Sequence, residues 1–316
     1  MRDYKVGTRH SRLALEQTKS VIDLLKISNR QIHINILEIN SSGDLDVRPL
    51  YTFDRKGIFE REIDQAVIDG YADFAVHSAK DVPTELFSDL TLASVPIRSA
   101  INDILIHRDG LKLNELPSGA VVGTSSLRRA VQLLRMRPEL KVKPIRGNID
   151  TRIRKVETGV YDAIVLAQAG LDRLGLTKFI TERFNIMDFV PAAGQGALAL
   201  ICRKDRPDLL ELLKLAEDPR SRAELEAERN VLTVVEGGCK FPIGVVALSN
   251  KNPSRLTLVA KAFSADGSDQ IVVTEKGRIE EAVSIGIRAG KRLLNEGVKD
   301  FSQSWESALK NWNELV

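Results

Sequence analysis

Apolar positions along this chain follow two alternating rhythms. Ile32, Ile34 and Ile36 alternate with polar neighbours, which predicts a strand over Gln31–Ile39. Lys5–Thr8 reads as a shorter strand. Between them Leu13, Val21, Leu24 and Leu25 fall near a 3.6-residue period and predict a helix over Ser11–Leu25. A second helix is expected over Phe59–Ile68, with Phe59, Ile63 and Val67 on one face and Gly70 as its stop. Asp73–His77, Ala120–Gly123, Lys141–Ile145 and Asp162–Leu166 are further strands. Helices over Ser126–Met136 and Asp150–Thr158, the latter closed by Gly159, lie between them. Strand and helix in turn predict α/β domains with mostly parallel sheets.

The rhythm changes near Pro219. A charged helix over Arg220–Val234 leads to Gly237-Gly238-Cys239, and strand-like runs follow at Ile243–Ser249, Leu256–Phe263 and Gln270–Thr274. Asp266-Gly267 supplies a hairpin turn between the last two. A helix over Ile279–Asn295 completes a smaller α+β unit. Pro96–Asp103 and Val190–Gly196 read as crossings between domains. The expected division is 1–98 plus 195–217 for a first α/β domain, 99–194 for a second and 218–316 for the α+β third. The first two would share a two-stranded hinge.

Composition narrows the class. A chain of 316 residues with 43% apolar residues suits a soluble globular protein of two or three domains. The net charge of +3 is too small to argue for nucleic acid or a membrane. No run approaches the roughly 18 unbroken apolar residues of a membrane helix. Met1–Leu15 has no apolar signal core, so a cytoplasmic protein is expected. The chain has four Tyr and two Trp, and its cations face turns rather than one stripe, which argues against nucleic-acid binding. Of the two cysteines, Cys202 sits in an apolar run and reads as core. No CxxC or HxxxH pair occurs, so no metal site is expected, and a reducing compartment argues against a disulfide.

The cations gather at turns. Gly123-Thr124-Ser125-Ser126-Leu127-Arg128-Arg129 follows a strand and opens a helix, so free N–H groups, hydroxyls and guanidinium groups converge there. Ile145-Arg146-Gly147-Asn148-Ile149-Asp150-Thr151-Arg152 repeats the arrangement, and Gly7-Thr8-Arg9-His10-Ser11 is a third case. Such turns lie at the carboxyl ends of strands, where open α/β sheets bind ligands. One arginine alone reads equally as a cap or a solvated charge; three sites of one design imply a ligand with several separate negative charges. None is a Walker or dinucleotide loop. Another strand ends in His77-Ser78-Ala79-Lys80-Asp81-Val82-Pro83. Its carboxylate beside an ammonium suits proton transfer or cation stabilisation, and equally a solvated ion pair. Cys239, between Gly238 and Lys240, reads as an accessible thiol with a cation nearby, or as an incidental surface thiol.

Together and in order, these segments resemble the porphobilinogen deaminase family over nearly the whole chain. The resemblance rests on Thr8-Arg9-x-Ser11, Gly43-Asp44, Lys56-Gly57-x-Phe59, Val76-His77-Ser78-x-Lys80-Asp81-Val82-Pro83, Gly123–Arg129 and Arg146-Gly147-Asn148-x-x-Thr151-Arg152. It continues through Ala169-Gly170-Leu171-x-Arg173-Leu174-Gly175, Gly194-Gln195-Gly196-Ala197 and Glu236-Gly237-Gly238-Cys239. It implies two periplasmic-binding-protein-like α/β domains around an active cleft, with a smaller α+β third domain. It also implies a dipyrromethane cofactor joined to Cys239 by a thioether. On that primer four porphobilinogen units are condensed, each losing ammonia through an electrophilic azafulvene, into hydroxymethylbilane. Asp81 would be the catalytic carboxylate. Lys80, Asp81, Thr124, Ser125, Ser126, Arg128, Arg129, Arg146, Gly147, Arg152 and Gln195 would hold the cofactor. Arg9, Ser11, Phe59, Arg146, Arg152 and Arg173 would hold substrate, with guanidinium groups on its acetate and propionate arms. A monomer is implied, its product passed to uroporphyrinogen-III synthase. Asp54-Arg55 replaces a frequent Gly-Gly, Ser41-Ser42 lacks a frequent Thr or Lys, and Lys240 replaces a frequent Gln. A non-catalytic two-domain anion-binding protein of periplasmic-binding-protein type would share the turns; it predicts no need for Asp81 or Cys239.

Overall fold

The computed structural model describes residues 3–40, 60–235, 242–249 and 254–301, with 305 and 308. Of the residues singled out above, Ser41, Ser42, Gly43, Asp44, Asp54, Arg55, Lys56, Gly57, Phe59, Glu236, Gly237, Gly238, Cys239 and Lys240 lie outside the described residues.

Alternation in the first hundred residues gives β1 (Asp3–Arg9), β2 (His33–Ile39), β3 (Phe74–Ser78) and β4 (Leu90–Ser94). Ser11 caps α1 (Arg12–Ser28) by accepting from the Ala14 N–H, and α2 (Arg61–Ile68) packs Ile63 and Val67 inward. In the middle of the chain come β5 (Asp103–His107), β6 (Val121–Gly123), α3 (Leu127–Met136) and β7 (Lys141–Lys143). After them come α4 (Ile149–Glu157), β8 (Ala163–Ala167), α5 (Gln168–Leu174) and β9 (Glu182–Arg183). The chain returns through β10 (Leu198–Arg203) and α6 (Pro207–Lys214).

Two five-stranded sheets result, ordered β2-β1-β3-β10-β4 and β7-β6-β8-β5-β9. They share one plan. In each, four strands run the same way, and the strand entering directly after a crossing, β10 or β5, runs against them. The sheets are therefore mixed where the rhythm suggested mostly parallel pairing, because a strand that arrives from the other unit enters from the opposite end. The crossings lie side by side, with the Ser99 N–H donating to the Gly196 carbonyl at 3.2 Å.

The third unit is the antiparallel sheet β11 (Ile243–Ser249), β12 (Arg255–Phe263) and β13 (Gln270–Arg278), backed by α7 (Pro219–Val235) and α8 (Ala282–Asn295). Small residues let these helices touch: a Cβ on Gly286 would lie 2.3 Å from the Ala227 carbonyl oxygen. The architecture is two α/β domains with a smaller α+β third. Among the described residues no helix is long and apolar enough to cross a membrane.

Glu228 on α7 joins the third unit to both crossings. Arg98 donates to its two oxygens at 2.8 and 3.0 Å, Gly194 N–H at 2.6 Å and Ala247 N–H at 2.8 Å. The carboxylate is fully buried, so four donors replace the water it loses. Removing one partner of such a pair strands the other charge. Glu228→Gln is therefore expected to cost about 3–5 kcal/mol, read as a lower midpoint in urea denaturation.

A cationic cleft between two sheets

The carboxyl ends of β1, β3, β6 and β8 meet the second crossing around a cleft of about 470 Å³, within the usual range for ligand sites. The cleft brings together Arg9 and Ser11 after β1, Lys80 and Asp81 after β3, and Ser125, Ser126, Arg128 and Arg129 after β6. Arg146, Gly147 and Arg152 join from the turn into α4, Arg173 from α5, and Gln195 from the second crossing. Of the described candidates, Thr124 stands apart: it is 1% exposed, does not line the cleft, and its hydroxyl accepts from the Ser126 N–H at 3.2 Å.

The turn carrying Lys80 and Asp81 is fixed from three sides. The Asp81 N–H donates to the Ser78 carbonyl at 3.0 Å. Arg229 on α7 donates to the carbonyls of Val82, Pro83 and Thr84. Gly194 has φ +74°, and a Cβ there would lie 2.9 Å from the backbone of Ala79 and Lys80. Only glycine allows this close approach.

Not all the cations are equally available. Asp103, fully buried at the start of β5, accepts from Arg128 and Arg129, each at 2.7 Å. Arg128 also donates to the Val190 carbonyl at 2.6 Å. Burial alone would raise the Asp103 carboxyl, but the two guanidinium charges and their hydrogen bonds bring it down to about 2. The resulting stability is in place above the ordinary aspartate range and is lost as pH falls towards 2. Arg128 and Arg129, which the sequence assigns to cofactor carboxylates, line the cleft and also hold a protein carboxylate about 25 residues away. Ser125 and Ser126 likewise make local bonds, Ser125 to the Ile145 backbone and Ser126 as the cap of α3.

The arginines farther along the cleft differ. Burial, then the charges of Arg129 and Arg146, lower Arg152 to about 10, and burial lowers Arg173 to about 10. Lys80 opens onto the cleft, and the protein around it also lowers its ammonium. Arg152 and Arg173 remain cations at neutral pH, crowded with the other cationic side chains at an electrostatic cost that a ligand with several carboxylates would relieve. Gln195 is 1% exposed; its amide N–H groups reach Ile101 and Asp103, while its Oε1 has no hydrogen-bond partner among the described residues. A buried acceptor of that kind suits a pyrrole N–H. The cleft residues thus fit a pyrrole bearing acid arms. Cys202 is fully buried on β10, and burial raises its thiol to about 11, as its apolar run suggested.

A division of labour follows. Arg128→Leu is expected to destabilise the fold, because Asp103 loses a buried partner, with a cost of a few kcal/mol, about 3. Arg146→Leu is expected to leave the urea midpoint near wild type and weaken ligand capture. Paired denaturation and ligand-binding measurements on the two variants check this.

Asp103, Glu228, Arg229 and Glu60 were not picked out in the sequence. Asp103 opens the apolar run Ile104–Ile106, a weak signal for a buried charge; the other three sit in ordinary polar helical patterns.

Fold and cleft define a two-lobed α/β protein with a cation-lined cleft between its sheets. The family described as "Porphobilinogen deaminase, dipyromethane cofactor binding domain" matches residues 4–211, and "Porphobilinogen deaminase, C-terminal domain" matches residues 223–295. The "Probable porphobilinogen deaminase" of Nitrosopumilus maritimus is 48% identical over 98% of this chain and 99% of its own. The porphobilinogen deaminase of Desulforudis audaxviator is 44% identical over 95% of this chain and 97% of its own. A solved periplasmic binding protein of Salmonella typhimurium, described as specific for arginine, covers 70% of this chain and 94% of its own at 14% identity and a TM-score of 0.42, a likeness that carries nothing about ligand or activity. The chain belongs to the porphobilinogen deaminase family, the hydroxymethylbilane synthases, which are transferases of tetrapyrrole synthesis with a dipyrromethane cofactor.

Proposed function

We propose that this chain condenses four porphobilinogen molecules, with release of ammonia, into the linear tetrapyrrole hydroxymethylbilane. The primer would be a dipyrromethane joined to Cys239 through a thioether. The observation that carries the reading is one carboxylate, Asp81, beside Lys80 on a braced turn in a cleft walled by Arg9, Arg146, Arg152 and Arg173. When bound, the cofactor supplies a nucleophilic pyrrole α-carbon.

The chain's own residues account for the rest. Arg9, Arg146, Arg152 and Arg173 bind acetate and propionate arms through paired N–H donors, which fixes ring orientation as well as charge. Gln195 Oε1 accepts a pyrrole N–H. Asp81 gives a proton to the departing amine nitrogen. As an anion it then stabilises the pyrrole cation, and it takes back the proton released once the new carbon–carbon bond is complete. Arg128, Arg129, Ser125 and Ser126 shape the wall and present their remaining donors; Thr124 and Gly147 set the turns. Phe59 would pack on a ring and Ser11 would add a hydrogen bond.

We further propose the domain limits 1–98 plus 195–217, 99–194 and 218–316, a monomer acting in the cytoplasm, and delivery of the product to uroporphyrinogen-III synthase. The test is turnover of porphobilinogen by purified protein. Ammonia and an open-chain tetrapyrrole should appear in a ratio of about four to one, as the condensation requires. Binding of porphobilinogen without ammonia release would instead favour a non-catalytic anion-binding protein.

A further inference from the structure

The proposed chemistry asks one carboxylate to be an acid, an anion and a base in turn. The structure supplies a second carboxyl in the same cleft. Glu60, the residue before α2, is 4% exposed and lines the cleft that Asp81 lines. Its side chain makes no capping bond to its own helix. The charged groups that bear on it are Asp81 beyond β3, Arg9 at the end of β1, and Asp64 one turn along α2. Asp64 is committed elsewhere, to His77 Nε2 at 2.9 Å, and both of those side chains are buried. Glu60, Asp81 and Arg9 therefore line one cleft, where their charges bear on one another.

Two carboxyl groups whose charges bear on each other in one cleft do not both ionise readily, and the more buried one keeps the proton. Here that is Glu60. Burial first and the Asp81 charge second raise it to about 9, against the opposing pull of Arg9. Environments that separate two carboxyls in this way mark an acid and a base.

We propose, on the basis of the condensation described above, that Glu60 is a positioning residue that stores the proton Asp81 uses. At rest Glu60 holds the proton. When the amine leaves, the carbon–nitrogen bond breaks with its electron pair going to nitrogen. The proton passes from Glu60 through Asp81 to that nitrogen, and ammonia departs. Both carboxylates are then ionised beside the substrate cation. After the carbon–carbon bond forms, the proton lost from the attacking ring carbon returns through Asp81 to Glu60. The pair ends as it began, and no other reactant is consumed. Asp81 can thus serve the pyrrole cations and still draw on a proton that it need not hold itself.

The test compares wild type with Glu60→Gln and Glu60→Asp. Glu60→Gln should lower kcat about tenfold or more, the lower range of general acid–base effects, with KM nearly unchanged. It should also remove an alkaline decline in kcat centred near pH 9, where Glu60 loses its proton. Glu60→Asp should recover part of the rate. A second readout needs no turnover. A carboxyl raised from 4.5 to about 9 in the fold costs stability as pH rises through that window. The unfolding temperature of Glu60→Gln should therefore gain on wild type between about pH 5 and about pH 9. Superposable kcat profiles for wild type and Glu60→Gln, or unfolding temperatures that keep a constant difference across this range, would overturn the assignment. Failure of the condensation reading looks different: wild type would release no ammonia, while the unfolding comparison would still report on Glu60.

Discussion

Cys239→Ser protein is expected to have the mass of its sequence alone and to form no hydroxymethylbilane, whereas the unaltered chain should be heavier by a dipyrrole. The effect is all-or-none because a thioether primer cannot be replaced by binding energy at an alcohol. Cys239 follows α7, whose Glu228 is tied to the crossing at Gly194. It precedes β11, where the Val245 N–H donates to the Pro191 carbonyl at 2.9 Å and Gly244 packs against Val190. Both flanks are therefore anchored to the segment that borders the cleft. Intact-mass spectrometry with a turnover assay reads both outcomes together. A fully active protein at its bare sequence mass would exclude the tether.

Asp81→Asn is expected to keep the dipyrrole mass and lose elongation. The amide has the shape of the carboxylate, and the turn is held by backbone and by Arg229 rather than by the Asp81 side chain, so the fold should tolerate the change. What is lost is the proton and the negative charge. Positioned proton transfer contributes about 10²–10⁴-fold, and loss of charge beside a pyrrole cation adds to it. The expected fall in kcat is thus about 10³-fold or greater, with porphobilinogen still captured by the arginines. Single-turnover ammonia release measures it, and a rate within about tenfold of wild type would remove Asp81 from proton transfer.

Much of this protein was legible because its information is local. Ser11 and Ser126 cap helices at the positions where a hydroxyl before an apolar period predicts a start. The strand-like run at Ile243–Ser249 is β11 residue for residue. Elements were missed where neither period was visible. β5 (Asp103–His107) is buried throughout, as a strand covered on both faces is, and α5 (Gln168–Leu174) is too short to display a period. These two carry Asp103 and Arg173, so the site's internal ion pair and one of its arginines went without a structural frame.

The sequence by itself determined the alternation of strands and helices, the turns where cations collect, and the order of motifs that identifies the family. Each depends on residues within about a helical turn or two, where periodicity and capping act. Only the tertiary structure decided which charges answer one another. Arg98 meets Glu228 across 130 positions, and Arg128 and Arg129 turn to Asp103 across 25 and 26. Glu60 comes to line the same cleft as Asp81. A charge is written in the sequence, but its partner and its burial are not. Desolvation and Coulomb energies depend on distances in space, which the crossings and the strand order set.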